Sequence, residues 1–146
     1  MASDYLIEMK NLTKSYYLDT GEEIPVLKGI DFRVKKNEFV AIMGESGSGK
    51  STLLNIIGFL HPSSDGQYLF DGDDVSRMND PDTLAYIRRE KIGFIFQQFF
   101  LLSRLNVLEN VSLPAIYTGC SKREREEKAL KLIGRVGLDE KIYSRP

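Results

Sequence analysis

The sequence predicts an α/β fold preceded by a small antiparallel sheet, and three observations support this prediction. Residues 39–43 are apolar at every position, as in a central strand that is covered on both faces. Patterns typical of strands and helices alternate after residue 38, which indicates an α/β core. Before that point, short apolar or alternating runs lie between polar turns, as in an antiparallel sheet with one buried face.

Composition narrows the class of protein. A chain of 146 residues with 42% apolar and 28% charged residues fits one globular domain or a piece of one, and it excludes wholesale disorder. Twenty basic and 21 acidic residues give a net charge of −1, so charge provides no argument for nucleic acid as a partner. The single cysteine, Cys120, excludes an internal disulfide and a cysteine-rich metal site. We find no signal peptide and no run near the ~18 apolar residues of a membrane span, so we expect a cytoplasmic chain.

The strand and helix patterns of the first part of the chain can be placed in order. Strands are predicted over 5–9, 24–27 and 30–34, with polar turns at 20–23 and 35–37. After the apolar run 39–43, a helix is predicted from about Gly49 up to Pro62, because its apolar residues recur at helical spacing. A short strand over 67–70 is closed by an Asp-Gly turn.

The later elements are predicted mainly by capping signals. Asp80 followed by Pro81 indicates the cap and first residue of a helix, and 92–96 is predicted as a further apolar strand. Asn106 and Ser121 each begin a capping box that is completed by a glutamate three residues later. The last helix is expected to end at Gly137 as C-cap, and the residues that it is expected to bury are Ala129, Leu130, Ile133 and Val136.

The most specific motif is a glycine-rich loop between the predicted central strand and the following helix. It matches G-x-x-x-x-G-K-[ST] at every fixed position, and its residues are Gly44, Glu45, Ser46, Gly47, Ser48, Gly49, Lys50 and Ser51. Glycines let bare backbone N–H groups approach phosphates, and the helix N-terminus favours an anion. We expect Lys50 to reach the β- and γ-phosphates, Ser51 to ligate Mg²⁺, and the backbone of Thr52 to hold the α-phosphate. The alternative interpretation is a glycine- and serine-rich linker.

Around this loop, the chain resembles the nucleotide-binding domains of ABC transporters over nearly its whole length. Residues 28–32 and 38–44 resemble the family's approach to the phosphate loop, although the family usually has proline at the position of Glu45. The segment 12–16 resembles the one that carries the A-loop aromatic, which implies that Tyr16, with Tyr17 as the alternative, stacks on adenine. The segment 92–98 resembles the approach to the Q-loop. This implies that Gln97 contacts Mg²⁺ and the attacking water and acts as a hinge, whereas Gln98 has no metal contact.

Two further segments narrow the resemblance. Residues 88–93 and 106–114 resemble the ATPases that serve lipoprotein release, macrolide or peptide export, and FtsE-type cell-division complexes. The resemblance implies a subunit that binds ATP and Mg²⁺ and powers export or substrate extraction by a transmembrane permease subunit. It also implies a head-to-tail dimer with a second nucleotide-binding domain, on the inner face of the cell membrane. Catalytic roles are implied for Lys50 and Gln97, and metal contacts for Ser51 and Gln97.

By the same resemblance, the chain is an N-terminal part of this domain. We expect an antiparallel β-subdomain over 1–37, a P-loop core over 38–97 and the start of a helical subdomain over 98–146. The apolar residues 99–102 fit a core or a contact with the membrane subunit equally well. We find neither the LSGGQ signature nor a Walker B strand, and the Asp139-Glu140 pair fits a polar turn after a helix. We therefore expect a truncated gene product, an engineered fragment or the ordered part of a longer chain, and we expect that it does not hydrolyse ATP alone.

Two alternative functions remain open. A small P-loop kinase would need an arginine-rich lid, for which Arg88 and Arg89 are the candidates. A non-catalytic nucleotide-binding module would bind ATP without turnover. His61, the only histidine, is interpreted as a surface residue.

Overall fold

The structure is a computed structural model that describes residues 4–146 of the chain. It divides into two compact units, with the boundary between Ile92 and Gly93. Each unit is described by itself. Within the described residues, none of the helices has both the length and the apolarity that crossing a bilayer demands.

The first unit is built on a four-stranded antiparallel sheet in the order β2-β1-β3-β4. Two long strands dominate it, and its members are β1 (Tyr5–Tyr17), β2 (Glu23–Lys35), β3 (Asp65–Phe70) and β4 (Asp73–Asp74). The antiparallel sheet predicted from sequence is thus present, although the runs 24–27 and 30–34 form one continuous strand. The predicted Asp-Gly turn connects β3 to β4.

A bulge in β1 sets the close approach of β3. The register of β1 shifts between Met9 and Leu12, where Asn11 has a φ of 47°. The Asn11 N–H donates to the side-chain carboxylate of Asp31 on the neighbouring strand β2, at 2.7 Å. Gly66 packs against this bulge, since a Cβ on Gly66 would overlap the Asn11 carbonyl oxygen. Only glycine fits this contact, because its φ is also positive, at 93°.

Two helices accompany the sheet in the first unit, α1 (Lys50–Ile57) and α2 (Pro81–Lys91). Asp80 caps α2 by accepting a bond from the Thr83 N–H, and Pro81 begins the helix, as predicted. The helix α1 ends earlier than the predicted Pro62, because Gly58 serves as its C-cap. The side chains in the core of this unit are Ile7, Met9, Leu12, Leu27, Leu53, Ile56, Phe59, Tyr68 and Val75.

The second unit is helical. It contains α3 (Val107–Ser112) and α4 (Lys122–Arg135), with 3-10 turns at Leu113–Thr118 and Asp139–Lys141. Both predicted capping boxes are formed, from Asn106 to Glu109 and from Ser121 to Glu124. The Asp139-Glu140 pair lies in the final 3-10 turn, as the sequence indicated.

The buried face of α4 is narrower than predicted. Ala129 and Ile133 are buried, but Leu130 and Val136 are exposed. Val136 is itself the C-cap, and Gly137 follows it with a φ of 71°. The Gly137 N–H donates to the Gly134 carbonyl and the Leu138 N–H to that of Ile133, which closes the helix. The C-cap of α4 is therefore Val136, one position before the predicted Gly137, and Gly137 is the left-handed residue that follows the cap.

The two strands predicted at 39–43 and 92–96 are not formed, and this part of the prediction is wrong for the chain. Phe39 and Met43 are 95% and 88% exposed, and Ile95 is fully exposed. A buried parallel strand needs a hydrogen-bonding neighbour on both edges and cover on both faces. Among the described residues, the only sheet is the antiparallel one above, and neither run pairs with it. Both runs are therefore irregular and mostly exposed, although Ile42 and Ile92 are half-buried against the core of the first unit.

Candidate functional site

The glycine-rich loop leads directly into α1, as the sequence predicted. Gly49 is the N-cap of this helix, with a left-handed φ of 91°, and no side chain among the described residues donates or accepts a capping bond there. The N–H groups of the first turn lack partners within an α-helix. Without a side-chain cap, those of α1 remain oriented towards the loop and can bind an anion.

The ammonium group of Lys50 lies inside the loop. Its Nζ donates to the carbonyl oxygens of Gly44 at 2.9 Å and Glu45 at 2.6 Å, and it lies 3.5 Å from the Ser48 hydroxyl. The lysine side chain therefore folds back from the first residue of α1 over the loop that precedes it. This fold places a positive charge in a loop whose backbone N–H groups can surround a phosphate.

Two of the three loop glycines lie in close packing. A Cβ on Gly44 would lie 2.9 Å from the Ser48 hydroxyl oxygen, and one on Gly49 would lie 2.9 Å from the Leu27 side chain on β2. A Cβ on Gly47 would meet nothing within 4 Å. Gly44 and Gly49 thus allow the loop to close on itself and on the sheet, whereas Gly47 leaves an open approach.

The remaining loop residues occupy the positions that the motif predicts. Ser51 and Thr52 lie in the first turn of α1, where Ser51 is exposed and Thr52 is half-buried. Glu45 and Ser46 are exposed on the loop. The structure thus brings the lysine, the hydroxyl residues and the glycines of the motif together at one helix N-terminus.

Tyr16 lies near the end of β1 in the same unit. It pairs with Ile24 of β2, and its side chain is 38% exposed. The Lys14 ammonium lies 5.2 Å from the centroid of its ring, and the His61 ring lies 6.5 Å away at an interplanar angle of 69°. His61 is exposed, as interpreted from sequence, but sequence reasoning missed its contact with Tyr16. No local pattern could reveal this contact, because the two residues lie on different elements.

Gln97 lies in the second unit. It is exposed, in an irregular segment that follows the unformed strand at 92–96. The structure therefore brings the predicted phosphate-binding residues together, places Tyr16 in the same unit, and leaves Gln97 in the other. Among the described residues, no cluster of three or more His, Cys, Asp or Glu side chains could hold a metal ion.

Comparison with known proteins identifies the family. The family model described as ABC transporter matches residues 27–146, which is most of the chain and includes the phosphate loop and Gln97. The chain belongs to the ABC transporter family. The resemblance predicted from the sequence motifs is thus confirmed.

The relatives of this chain include ABC transporter proteins that are named for export. The macrolide export ATP-binding/permease protein MacB of Wolinella succinogenes is 50% identical over 141 residues, covering 97% of this chain and 22% of MacB. The pyoverdine export ATP-binding/permease protein PvdT of Pseudomonas fluorescens is 45% identical over 141 residues, and the alignment covers 21% of PvdT. The uncharacterized ABC transporter ATP-binding protein YknY of Bacillus subtilis is 46% identical and is covered to 60%. The chain therefore spans about a fifth of the fused relatives and three fifths of the shorter one.

A solved ABC cassette has the same fold. The dimeric cassette MJ0796, in a post-hydrolysis state bound to ADP and Pi, aligns with a TM-score of 0.83 and 42% identity. The alignment covers 96% of this chain and 61% of the cassette. The described residues thus adopt the fold of an N-terminal part of an ABC cassette.

Proposed function

We propose that this chain is the nucleotide-binding part of an ABC transporter ATPase subunit and that it binds MgATP. The observation that carries the proposal is the loop closed around the Lys50 ammonium at the uncapped N-terminus of α1. A positive charge, bare backbone N–H groups and a helix dipole converge there, which is the chemistry that a polyphosphate requires. Relatives that are named ATP-binding proteins and a cassette bound to ADP and Pi support it.

Each residue of the loop has a proposed role. Lys50 binds the β- and γ-phosphates, and the backbone from Gly44 to Thr52 surrounds the chain of phosphates. Ser51 is exposed at the first turn of α1, where its hydroxyl would ligate Mg²⁺. A Mg²⁺ held there would supply charge neutralisation to the phosphates. The loop fits a polyphosphate because Gly47 leaves an open approach that a side chain would narrow.

Tyr16 and Gln97 complete the proposed site. Tyr16 presents a partly exposed ring at the end of β1, and base stacking on such a ring contributes about 1–3 kcal/mol per base. We propose that Gln97 supplies a second contact to Mg²⁺ and to the attacking water, as the family resemblance implies. Lys50 and Gln97 would then be the catalytic residues of the whole protein.

The whole protein is proposed to power export by a membrane partner. Relatives that are ATP-binding/permease fusions support a permease partner, and the dimeric cassette supports dimerisation. We propose that the dimer is a head-to-tail one with a second nucleotide-binding domain. The subunit would lie on the inner face of the cell membrane through its permease. We keep the division into 1–37, 38–97 and 98–146 as a proposal. Because the chain spans only part of its relatives, nucleotide binding is proposed for the chain and hydrolysis for the whole protein.

The aromatic segment after Gln97 supports a partner contact. Phe99 and Phe100 are exposed, and the Phe100 ring packs against that of Phe96 with centroids 5.0 Å apart. Exposed aromatic residues of this kind are typical of interfaces. We expect Phe100→Asp to reduce capture by the permease subunit while the protein stays folded. Undiminished capture would instead assign these residues to packing within the chain.

The kinase alternative receives no support from the structure. Arg88, one of its two candidate lid residues, donates a hydrogen bond to the Phe59 carbonyl within the first unit. A lid arginine must be free to move onto a phosphate, whereas this one stabilises the fold.

The proposal is tested by calorimetric titration of MgATP into the wild-type protein and Lys50→Ala. Loss of a charged donor to phosphate should weaken binding by roughly 10- to 100-fold. Lys131→Ala, which removes an exposed lysine from α4, is the matched control and should bind as the wild type does. Circular dichroism and thermal unfolding confirm that each variant is folded. Equal affinity of folded Lys50→Ala and wild type would overturn the proposal.

A further inference from the structure

The loop after α1 is attached to β1 near Tyr16. The Ser64 N–H donates to the Thr13 carbonyl at 2.8 Å, and the Ser15 N–H donates to the Ser64 hydroxyl at 3.0 Å. At the other end of this loop, the His61 N–H donates to the Asn55 carbonyl of α1 at 3.3 Å. The backbone that carries His61 is therefore held by a helix on one side and by a strand on the other.

This attachment brings the His61 ring against the Tyr16 ring. Their centroids are 6.5 Å apart and their planes are inclined at 69°, which is an edge-to-face arrangement. The Lys14 ammonium lies over the same tyrosine ring, 5.2 Å from its centroid. Tyr16 is thus held by two side chains, one from its own strand and one from the loop after α1. A partly exposed tyrosine without such contacts would sample several ring orientations.

We propose that His61 is a positioning residue that holds the Tyr16 ring in place for the adenine base of the nucleotide. The inference rests on the proposed function, because it needs a nucleotide whose base reaches Tyr16. Holding the ring beforehand reduces the conformational entropy that is lost when a base stacks on it. His61 itself is not assigned a contact with the nucleotide.

The phosphate loop and His61 lie at opposite ends of the same helix, α1. The helix α1 begins at the phosphate loop, and His61 follows its C-terminal end, where the Asn55 carbonyl holds it. One eight-residue helix thus links the phosphate-binding loop to the residue that orients the ring for the base. A shift of this helix would displace both, so a test must separate an effect on the base from an effect on the phosphates.

The experiment compares MgATP with magnesium tripolyphosphate, which carries the phosphates without a base. Both are titrated calorimetrically into the wild type, His61→Ala, and His61→Phe, which keeps an aromatic ring. Ser63→Ala, in the same loop, is the matched control. We expect His61→Ala to weaken MgATP binding about two- to tenfold and to leave tripolyphosphate binding unchanged. His61→Phe should restore most of the affinity for MgATP.

Four other outcomes would overturn the inference, and each points to a different cause. Unchanged MgATP affinity in His61→Ala means that the histidine does not position Tyr16. An equal loss for tripolyphosphate means that the histidine acts through the general structure of α1. A wild type that binds tripolyphosphate as tightly as MgATP has no base platform, although its phosphate loop functions. A wild type that binds neither ligand overturns the proposed function and the inference together.

Discussion

The Arg88 guanidinium donates a hydrogen bond to the main-chain carbonyl oxygen of Phe59, with the two atoms 2.8 Å apart. Phe59 follows α1 with a φ of 57°, and its buried ring stacks on that of Tyr68 with centroids 5.3 Å apart. The bond therefore attaches α2 to the turn at which the chain leaves α1. This turn lies just before His61, so the same contact stabilises the loop that reaches Tyr16.

Arg88→Ala should lower the free energy of unfolding of the first unit by about 1–3 kcal/mol, because the partly buried Phe59 carbonyl loses a charged donor. Urea denaturation followed by circular dichroism measures the loss. Arg135→Ala, at the exposed end of α4, is the control and should change stability by less than about 0.5 kcal/mol. Equal effects of the two substitutions would show that the bond contributes nothing.

Gly66→Ala should be strongly destabilising, by at least about 2 kcal/mol, because its Cβ would overlap the Asn11 backbone and its φ is positive. Gly21→Ala makes a matched comparison. Gly21 has a similar φ of 84°, but a Cβ there would meet nothing within 4 Å. Gly21→Ala should therefore lower the free energy of unfolding only by the cost of placing alanine at a positive φ, roughly 1 kcal/mol. Thermal unfolding of both variants separates the two contributions, and similar melting temperatures would contradict the close approach of β3 to the bulge.

Asp74 makes the stability of the first unit dependent on acid pH. Its carboxylate accepts bonds from the Ser76 hydroxyl and N–H and from the Gln67 amide, and these bonds lower its pKa to about 2. Because this pKa is lowered, Asp74 contributes its full stabilisation at pH values above the ordinary aspartate pKa near 3.8. This stabilisation is lost as the pH falls towards about 2.

Asp74→Asn should therefore be less stable than the wild type at neutral pH, and the difference should shrink as pH falls through that window. Denaturation midpoints measured from pH 6 down to about pH 2 provide the comparison. Ser76→Ala, which removes the principal donor, should move the loss of stability to higher pH. A difference that stays constant over the whole range would contradict the assignment.

Ile133→Ala should destabilise the second unit by about 2–5 kcal/mol, because Ile133 is only 1% exposed. Leu132, its neighbour on α4, is half exposed, so Leu132→Ala should cost less than about 1 kcal/mol. Amide hydrogen exchange in α4 reports the local effect. Comparable exchange rates in the two variants would mean that α4 does not bury the face described above.

The capping signals could be predicted from the sequence because the contacts that they make are local. Asn106 and Ser121 each bond a residue three positions away, so the motif itself contains both partners. The phosphate loop is predictable for the same reason, since the Lys50 ammonium bonds residues five and six positions before it. The C-cap of α4 was predicted one position too late, at Gly137 instead of Val136. A glycine near a helix end marks the left-handed residue after the cap, and the sequence alone does not separate it from the cap itself.

The failures come from contacts between distant parts of the chain. The run at 39–43 has the composition of a buried strand, but a strand forms only beside neighbours, and the described residues provide none for it. The exposure of Leu130 similarly depends on what packs against α4, which helical periodicity does not specify. The contact between Tyr16 and His61 depends on the hydrogen bonds of Ser64 to β1, which no sequence pattern indicates.

The largely exposed run at 39–43 affects how this chain behaves in concentrated solution. Four of its five apolar residues are exposed, while Ile42 is half-buried against the core, and a run without a strand partner can pair with the same run of another molecule. Charged residues flank it, with Lys35 and Glu38 before it and Glu45 after it. In a parallel, in-register stack, identical charges would lie side by side and repel. Because salt screens this repulsion over a Debye length of about 8 Å at 0.15 M, the solubility of this 146-residue chain should decrease as ionic strength rises.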